Sequence, residues 1–117
     1  MPATIGAKLA KPDAPVICIT GDGGAQFCLG ELGTAMDENT PVIFVIWNNH
    51  GYQEIETYMV SNGISAICVT PSPPDFTLIA EAYGMSAEKL TEKTILADVI
   101  ARAVQIGKPH LIEVVTS

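Results

Sequence analysis

The sequence predicts an α/β domain of three layers, in which a doubly wound and mainly parallel sheet lies between helices. Two apolar runs, PVICI at 15–19 and PVIFVIW at 41–47, have the length and β-branched content of buried strands. The helical stretch between them makes a right-handed crossover, so that the two strands lie parallel in one sheet. Later, an amphipathic helix pattern at 94–106 leads into HLIEVV at 110–115, which is predicted to be the last strand.

The other elements are predicted from apolar periodicity and from helix-breaking residues. Further helices are expected at 1–10, 25–37, 53–60 and 74–84, and short extended segments at 64–69 and 85–90. The helix at 25–37 carries an apolar stripe made of Phe27, Cys28, Leu32, Ala35 and Met36. In the helix at 94–106, Asp98 and Arg102 are one turn apart and are expected to form an ion pair.

Composition excludes several classes of function. The 117 residues are enough for one domain, and the formal charge of −7 argues against nucleic acid or an anionic membrane as a partner. No apolar run approaches the roughly 20 residues that a membrane-spanning helix needs, and the N-terminus does not resemble a signal peptide. Hydrophobic residues make up 48% of the chain and charged residues 16%. This apolar balance predicts surfaces that are covered by other domains or subunits.

The cysteines indicate the redox compartment of the protein but no catalytic or metal-binding role. Cys18, Cys28 and Cys68 form no CxxC pair and are odd in number, which disfavours a disulfide framework. We therefore expect three buried structural thiols in a reducing cytoplasm.

Polar clusters follow both of the predicted parallel strands. Residues 21–24 come directly after the first strand, and residues 48–51 directly after the second. Because the carboxyl ends of parallel strands meet at one edge of a sheet, the two clusters are expected to face a common ligand there.

The residue types in these clusters favour a magnesium–diphosphate ligand. Asp22 supplies an anionic oxygen, Asn49 an amide oxygen, and Gly51 a carbonyl unshielded by a side chain. Oxygen donors of this kind suit Mg²⁺, which completes its octahedron with substrate phosphates and water. Gly23 and Gly24 would let backbone N–H groups approach an anion closely, at the start of the next helix.

The motif GDG at 21–23, twenty-four intervening residues and then NN at 48–49 resemble the signature of thiamine diphosphate (ThDP) enzymes. The resemblance extends from IGAKLA at 5–10 to LIEV at 111–114. It implies that Asp22, Asn49 and the carbonyl of Gly51 bind Mg²⁺. It also implies a cofactor-binding set made of Asp22, Gly23, Gly24, Ala25, Asn49, Gly51, Tyr52 and Gln53.

The resemblance further implies that 1–117 is the C-terminal diphosphate-binding domain of a longer enzyme. In that family an N-terminal pyrimidine-binding domain of a partner subunit supplies the glutamate that activates the cofactor. The chain alone is therefore expected to be inactive, and the parent to be a dimer or tetramer. The parent would decarboxylate a 2-oxo acid and either release an aldehyde or join the product to a second carbonyl, as acetolactate synthase does. The string NNHGYQEI resembles the decarboxylases more closely.

Three further polar residues lie near the predicted cofactor loop. His50 falls between two expected metal ligands, and a structural or channel-lining role is favoured over catalysis. Glu54 and Glu56 would project roughly 200° apart on a helix, so that only one faces the substrate channel. Glu54 is the nearer in sequence, and its carboxylate would favour a 2-oxo acid with a cationic tail. The alternative is a solvated helix face.

Two other classes of function stay open at this point. One is a binding module for another Mg²⁺-phosphate ligand such as a nucleotide, which would need an acidic residue at the end of the second strand. That end carries Asn48 and Asn49 instead. The other is a non-catalytic subunit that keeps the fold without turnover.

Overall fold

Four strands form one wholly parallel sheet in the computed structural model, which describes residues 1–116. The strands are β1 (Val16–Gly21), β2 (Val42–Asn48), β3 (Ser86–Leu90) and β4 (His110–Val115). Their order across the sheet is β1-β2-β4-β3, so the chain crosses over β4 to reach β3 and then returns. All three strands expected from apolar runs are confirmed, and so is the short one at 85–90.

Six α-helices connect or precede these strands within the described residues. They are α1 (Pro2–Ala10), α2 (Asp22–Ala25), α3 (Glu31–Asp37), α4 (Gln53–Ser61), α5 (Phe76–Ala82) and α6 (Leu96–Ile106). Short 3-10 turns lie at Gln26–Cys28 and Lys93–Ile95. None of the helices within 1–116 is long and apolar enough to cross a membrane.

Helices cover both faces of the sheet, which confirms the three-layer α/β fold. On one face α1, α2, α3 and α5 pack through Ile5, Ala25, Leu32, Ala35, Phe76 and Ala80. On the other face α6 packs through Val99 and Ala103. The central strand β2 sends Phe44 and Ile46 to the first core and Val45 to the second, which explains its uninterrupted apolar sequence.

The predicted helix at 25–37 is wrong in its start and continuity. Helical structure begins at Asp22, passes through the 3-10 turn and resumes at Glu31. Glycine has poor helix propensity, and Gly23, Gly24 and Gly30 all fall in this stretch. Across this break the expected stripe is interrupted: Phe27 is 83% exposed, whereas Leu32 and Ala35 are buried and Met36 is partly buried.

The expected ion pair within α6 is replaced by one to the sheet. Arg102 Nη2 lies 2.8 Å and 2.7 Å from the two carboxylate oxygens of Glu88 on β3. A single guanidinium nitrogen thus lies within hydrogen-bond distance of both Glu88 oxygens, and Glu88 rather than Asp98 is the partner of Arg102.

The 64–69 segment forms no β-strand. It has no regular secondary structure and contains Cys68 at a φ of 59°, a left-handed conformation that interrupts a strand. The expectation of three buried thiols is therefore correct for Cys18 but wrong for Cys68, which is exposed, and Cys28 is half-buried. All three are free thiols.

Candidate functional site

The two polar clusters meet at the carboxyl edge of the sheet, as the sequence predicts. Gly21 at the end of β1 is paired in register with Trp47 on β2, so the chain segments that follow both strands lie side by side. Together they form an open cleft lined by Gly21, Asp22, Gly23, Gly24, Asn49, Gly51, Tyr52, Gln53, Glu54 and Ile55.

Three oxygen atoms converge in this cleft. Asn49 Oδ1 lies 3.0 Å from Asp22 Oδ1 and 3.0 Å from the carbonyl oxygen of Gly51. The Asp22 side chain is almost completely buried, with 1% of its surface exposed. A carboxylate, an amide and a backbone carbonyl, each from a different residue, therefore share one small volume.

The orientation of the Asn49 amide follows from its neighbour Gln53. As placed, Asn49 Nδ2 donates to Gln53 Oε1 at 3.1 Å, and Gln53 Nε2 donates to the Asn49 carbonyl at 3.0 Å. The reversed amide would let Nδ2 donate to Asp22 and Gly51 at 3.0 Å, which suits a ligand-free cleft. It would also set the amide oxygen 3.1 Å from Gln53 Oε1, another acceptor. If a cation lay between the three oxygens, the orientation with Asn49 Oδ1 facing Asp22 and Gly51 would leave no donor or acceptor of Asn49 and Gln53 opposed.

The two distances from Asn49 Oδ1 fit a small octahedral cation. Mg²⁺ binds oxygen at about 2.1 Å, and adjacent corners of an octahedron of that size are about 3.0 Å apart. The two distances from Asn49 Oδ1 have this value. The donor set contains one carboxylate and two neutral oxygens, which leaves positive charge for an anionic ligand to neutralise.

Backbone contacts hold Gly51 in this arrangement. Its φ is 144°, a conformation that favours glycine, and its N–H donates to Asp22 Oδ2 at 2.9 Å. A Cβ at this position would lie 2.6 Å from the carbonyl oxygen of Val69. The same oxygen accepts from the N–H of Tyr52 at 2.8 Å. The irregular segment before Pro71 therefore packs against the loop that follows β2, a role that its sequence did not indicate.

One glycine of the GDG turn, Gly23, permits close packing. A Cβ on Gly23 would overlap the Tyr52 ring, so the ring covers the start of α2 only because this residue is glycine. Ala25 is fully buried in the core beside α3. Its side chain is therefore turned away from the cleft, and only its backbone could contact a diphosphate.

Glu54, Glu56 and His50 lie at three different depressions of the surface. Glu54 lines the cleft with Asp22 and Asn49, whereas Glu56 borders another depression with Thr57. That one of the two glutamates faces a substrate channel stays a prediction. His50 has a φ of 64° and borders a third depression, away from the three oxygens.

A buried polar network lies behind the loop, and sequence reasoning did not find it. Glu113 on β4 is 1% exposed, and its Oε1 accepts from Asn48 Nδ2 at 2.7 Å. Asn48 Oδ1 accepts in turn from the backbone N–H of His50 at 3.1 Å. The available signal was an acidic residue inside the apolar run HLIEVV, where a parallel strand is otherwise buried.

The network continues outward to the start of α5. Lys89 Nζ lies 3.2 Å from Glu113 Oε2 and 3.0 Å from Asp75 Oδ2. The hydrogen bond to Asp75, together with the negative charge of Glu113, outweighs desolvation and raises the pKa of Lys89. Hydrogen bonds from Thr77, Leu78 and Lys89 hold the pKa of Asp75 well below its usual range. Lys89 is therefore a cation between two carboxylates.

Comparison with known proteins identifies the family. Residues 1–114 match the family described as "Thiamine pyrophosphate enzyme, C-terminal TPP binding domain", where thiamine pyrophosphate (TPP) is another name for ThDP. The chain is 35% identical over 114 residues to a probable acetolactate synthase large subunit of Methanococcus aeolicus, covering 96% of this chain and 19% of that protein. It is 38% identical over 90 residues to a probable 2-ketoarginine decarboxylase of Pseudomonas aeruginosa, covering 76% and 16%.

A solved structure agrees with both sequence matches. The ThDP-dependent 4-hydroxybenzoylformate decarboxylase of Rhodococcus jostii superimposes with a TM-score of 0.91 at 30% identity, over all of this chain and 22% of that one. The chain thus spans about a fifth of the length of the proteins that it matches. With the shared fold and the match over nearly every residue, this chain belongs to the thiamine pyrophosphate enzyme family, as its C-terminal TPP-binding domain.

Proposed function

We propose that the cleft binds Mg²⁺ together with the diphosphate of ThDP. The observation that carries this proposal is that Asn49 Oδ1 lies 3.0 Å from both Asp22 Oδ1 and the Gly51 carbonyl oxygen, the separation of adjacent corners of a Mg²⁺ octahedron. Asp22 would supply the one negative charge that the protein places on the metal, and the diphosphate would neutralise the remaining positive charge. Gly23, Gly24, Tyr52 and Gln53 line the same cleft and would contact the cofactor around the metal.

The residues of the chain would hold the cofactor rather than react. ThDP, when bound, supplies the carbon nucleophile that adds to a carbonyl group and the electron sink that accepts the electrons released by decarboxylation. Asp22, which receives the N–H of Gly51, and Gln53, which exchanges two hydrogen bonds with Asn49, would keep the diphosphate end in one position. Positioning of this kind is a large part of what a protein contributes to cofactor chemistry.

We infer that the whole enzyme is a ThDP-dependent lyase or transferase that acts on a 2-oxo acid. The names of the related proteins support both a decarboxylase and an acetolactate-synthase-like carboligase. The cytoplasmic location stays a prediction from the cysteines. The homo-oligomer, with the activating glutamate on the partner's N-terminal domain, stays a prediction from the resemblance.

A nucleotide-binding module is the weaker alternative. The acidic residue that would bind a ribose is expected at the end of the second strand. The side chains there are Asn48 and Asn49, of which Asn48 is 3% exposed and engaged with Glu113. Calorimetric titration with ThDP and with ATP, each with and without Mg²⁺, separates the two. Mg²⁺-dependent binding of ATP without any binding of ThDP would favour the nucleotide module.

Substitution of Asp22 tests the metal site. Asp22→Asn keeps an oxygen that can accept from Gly51 but removes the charge, so ThDP–Mg²⁺ binding by the full-length protein should fall by at least about 100-fold. Asp22→Ala should abolish detectable binding. Asp98→Ala, an exposed carboxylate on α6, is the matched control and should bind normally. Normal affinity in Asp22→Asn would show that Asp22 is not a ligand.

We further propose that Glu54 favours a 2-oxo acid with a cationic tail, such as a guanidino or amino group. Glu54 lines the cleft of the proposed cofactor site, while Glu56 lies on another surface. One related protein is named as acting on 2-ketoarginine, which carries such a tail. A partly desolvated charge pair is worth a few kcal/mol, enough for a selectivity of about 100-fold.

The test compares kcat/KM of the full-length enzyme for 2-ketoarginine and for pyruvate. Glu54→Gln should lose the preference for the cationic substrate and leave pyruvate turnover nearly unchanged. Glu56→Gln is the matched control and should keep the preference. An equal effect of Glu54→Gln on both substrates, or no effect, would reduce Glu54 to a surface residue.

A further inference from the structure

A buried carboxylate on β4 is hydrogen-bonded to the residue that begins the cofactor loop. In register, Glu113 is paired with Ile46 on β2 and with Lys89 on β3, so it lies between two neighbouring strands. Asn48 follows Ile46 by two residues and therefore projects from the same face of the sheet. This alternation explains the 2.7 Å contact between Glu113 Oε1 and Asn48 Nδ2.

Asn48 transmits this contact to the loop through its other amide atom. Because Nδ2 donates to Glu113, Oδ1 is turned towards the N–H of His50, from which it accepts at 3.1 Å. This bond closes a turn in which His50 has a φ of 64° and Gly51 a φ of 144°. The backbone of Asn48 is held as well, since its carbonyl accepts from Thr116 N–H at 2.8 Å.

Burial of the Glu113 carboxylate costs hydration free energy, which packing alone does not offset. A carboxylate that is 1% exposed loses nearly all of its hydration. Its Oε2 makes no hydrogen bond with the described residues, although it forms an ion pair with Lys89 Nζ at 3.2 Å. The well-formed contact is the one to Asn48. An apolar residue at 113 would fill the core without orienting that amide.

We propose that Glu113 is a positioning residue for the proposed metal site: it orients the Asn48 amide, which holds the 48–51 loop in the conformation that presents Asn49 Oδ1 and the Gly51 carbonyl to the cation. This inference rests on the proposed function for its metal, but the loop geometry on which it depends is a property of the chain itself. Glu113 touches neither cofactor nor substrate, so its effect is on metal affinity rather than on a chemical step.

A swap of the two functional groups tests the proposal in the full-length protein. Asn48→Asp sets two carboxylates against each other and should weaken Mg²⁺ binding, measured at saturating ThDP, by roughly 10- to 100-fold. The added negative charge would by itself strengthen Mg²⁺ binding. A weaker affinity in Asn48→Asp would therefore report a change in the conformation of the 48–51 loop. Glu113→Gln sets a new amide N–H₂ against Lys89 or Asn48 and should weaken binding by about 10-fold. In the double variant the new amide can donate to the new carboxylate, and most of the affinity should return.

Hydrogen exchange provides a second measurement that needs no metal. The His50 amide should exchange at least about 10-fold faster in Asn48→Asp and should be protected again in the double variant. Glu88→Gln is the matched control: it removes a carboxylate on β3 that binds Arg102, and should lower thermal stability without changing Mg²⁺ affinity or His50 exchange.

The outcomes separate the two proposals. Restoration of both affinity and protection in the double variant supports the positioning role. Single variants that bind Mg²⁺ like the wild type, or a double variant no better than Asn48→Asp, would overturn it. A wild-type protein without Mg²⁺ affinity would overturn the proposed function instead, and His50 exchange in the same variants would still decide whether Glu113 positions the loop.

Discussion

At the residue scale, Gly51 shows how tightly the 48–51 loop is packed. Its N–H is bonded to Asp22, its carbonyl faces Asn49, and its α-carbon lies against the Val69 carbonyl. A side chain here would meet backbone rather than a flexible group, so the neighbour could not move aside cheaply. The glycine that leaves a carbonyl unshielded is thus also the residue that lets two segments approach.

Gly51→Ala should therefore distort the loop. A left-handed φ and a Cβ 2.6 Å from a backbone oxygen predict a stability cost of about 1–3 kcal/mol, and ThDP–Mg²⁺ affinity should fall at least about tenfold. Gly63→Ala is the matched control, because Gly63 has a φ of 69° but open space around it. It should cost about 1 kcal/mol and leave binding unchanged. Wild-type affinity in Gly51→Ala, measured by calorimetry, would contradict this account.

At the element scale, the start of α5 is joined to the network behind the loop. Asp75 is the N-cap, and its Oδ1 accepts from the N–H groups of Thr77 and Leu78 at 3.0 Å and 3.1 Å. Its second oxygen binds Lys89 on β3. The cap thus satisfies the first turn of the helix and ties α5 to the edge strand.

Asp75→Ala should lower the free energy of unfolding by about 1 kcal/mol at neutral pH, the usual effect of losing a capping side chain. Hydrogen bonds from Thr77, Leu78 and Lys89 lower the pKa of Asp75 in the folded state. Its stabilisation is therefore present above the unfolded carboxyl pKa of about 3.9 and is lost as the pH falls towards the lower folded value.

Urea unfolding of wild type and Asp75→Ala across the acid range checks this prediction, since the difference between them should shrink as the pH falls. Asp75→Asn keeps a capping oxygen without the charge, so it should recover much of the stability at neutral pH and show less pH dependence than the wild type. A difference between wild type and Asp75→Ala that is constant with pH would mean that the carboxylate charge does not contribute.

At the scale of the whole molecule, the sheet is covered unevenly. Ile17 and Ile19 on the edge strand β1 are 41% and 73% exposed, because α6 covers β2, β3 and β4 but does not reach β1. Other large apolar side chains are exposed as well, namely Phe27, Ile55, Tyr58 and Ile67. The composition predicts that such surfaces are covered by other domains or subunits, and that stays a prediction.

We expect residues 1–117 expressed alone to show no turnover of any 2-oxo acid. The cleft would bind the diphosphate end of the cofactor only, and the glutamate expected to activate the other end belongs to another domain. General acid–base catalysis of this kind typically raises the reaction rate by ~10²–10⁴-fold. Release of CO₂ from pyruvate and 2-ketoarginine, with Mg²⁺ and ThDP present and the full-length enzyme as positive control, is the measurement. Steady turnover by the isolated domain would refute the expectation.

The sequence by itself determined the parallel sheet, its three layers and the edge at which the two polar clusters meet. These features depend on local properties: apolar runs in β1 and β2, helical periodicity in α5 and α6, and the rule that parallel strands end at one edge. The spacing of GDG and NN was sufficient to identify the family before any distance was known.

Only the tertiary structure decided which side chains are partners. Glu113 and Asn48 are 65 residues apart in the chain, and they meet because β4 is inserted between β2 and β3. The same strand order brings Arg102 to Glu88 rather than to Asp98. The carbonyl of Val69, in an irregular segment, accepts from the N–H of Tyr52 next to Gly51, and no side-chain pattern encodes that contact. Periodicity shows which face of an element is buried, but strand order and register determine what that face contacts, and these depend on packing across the whole chain.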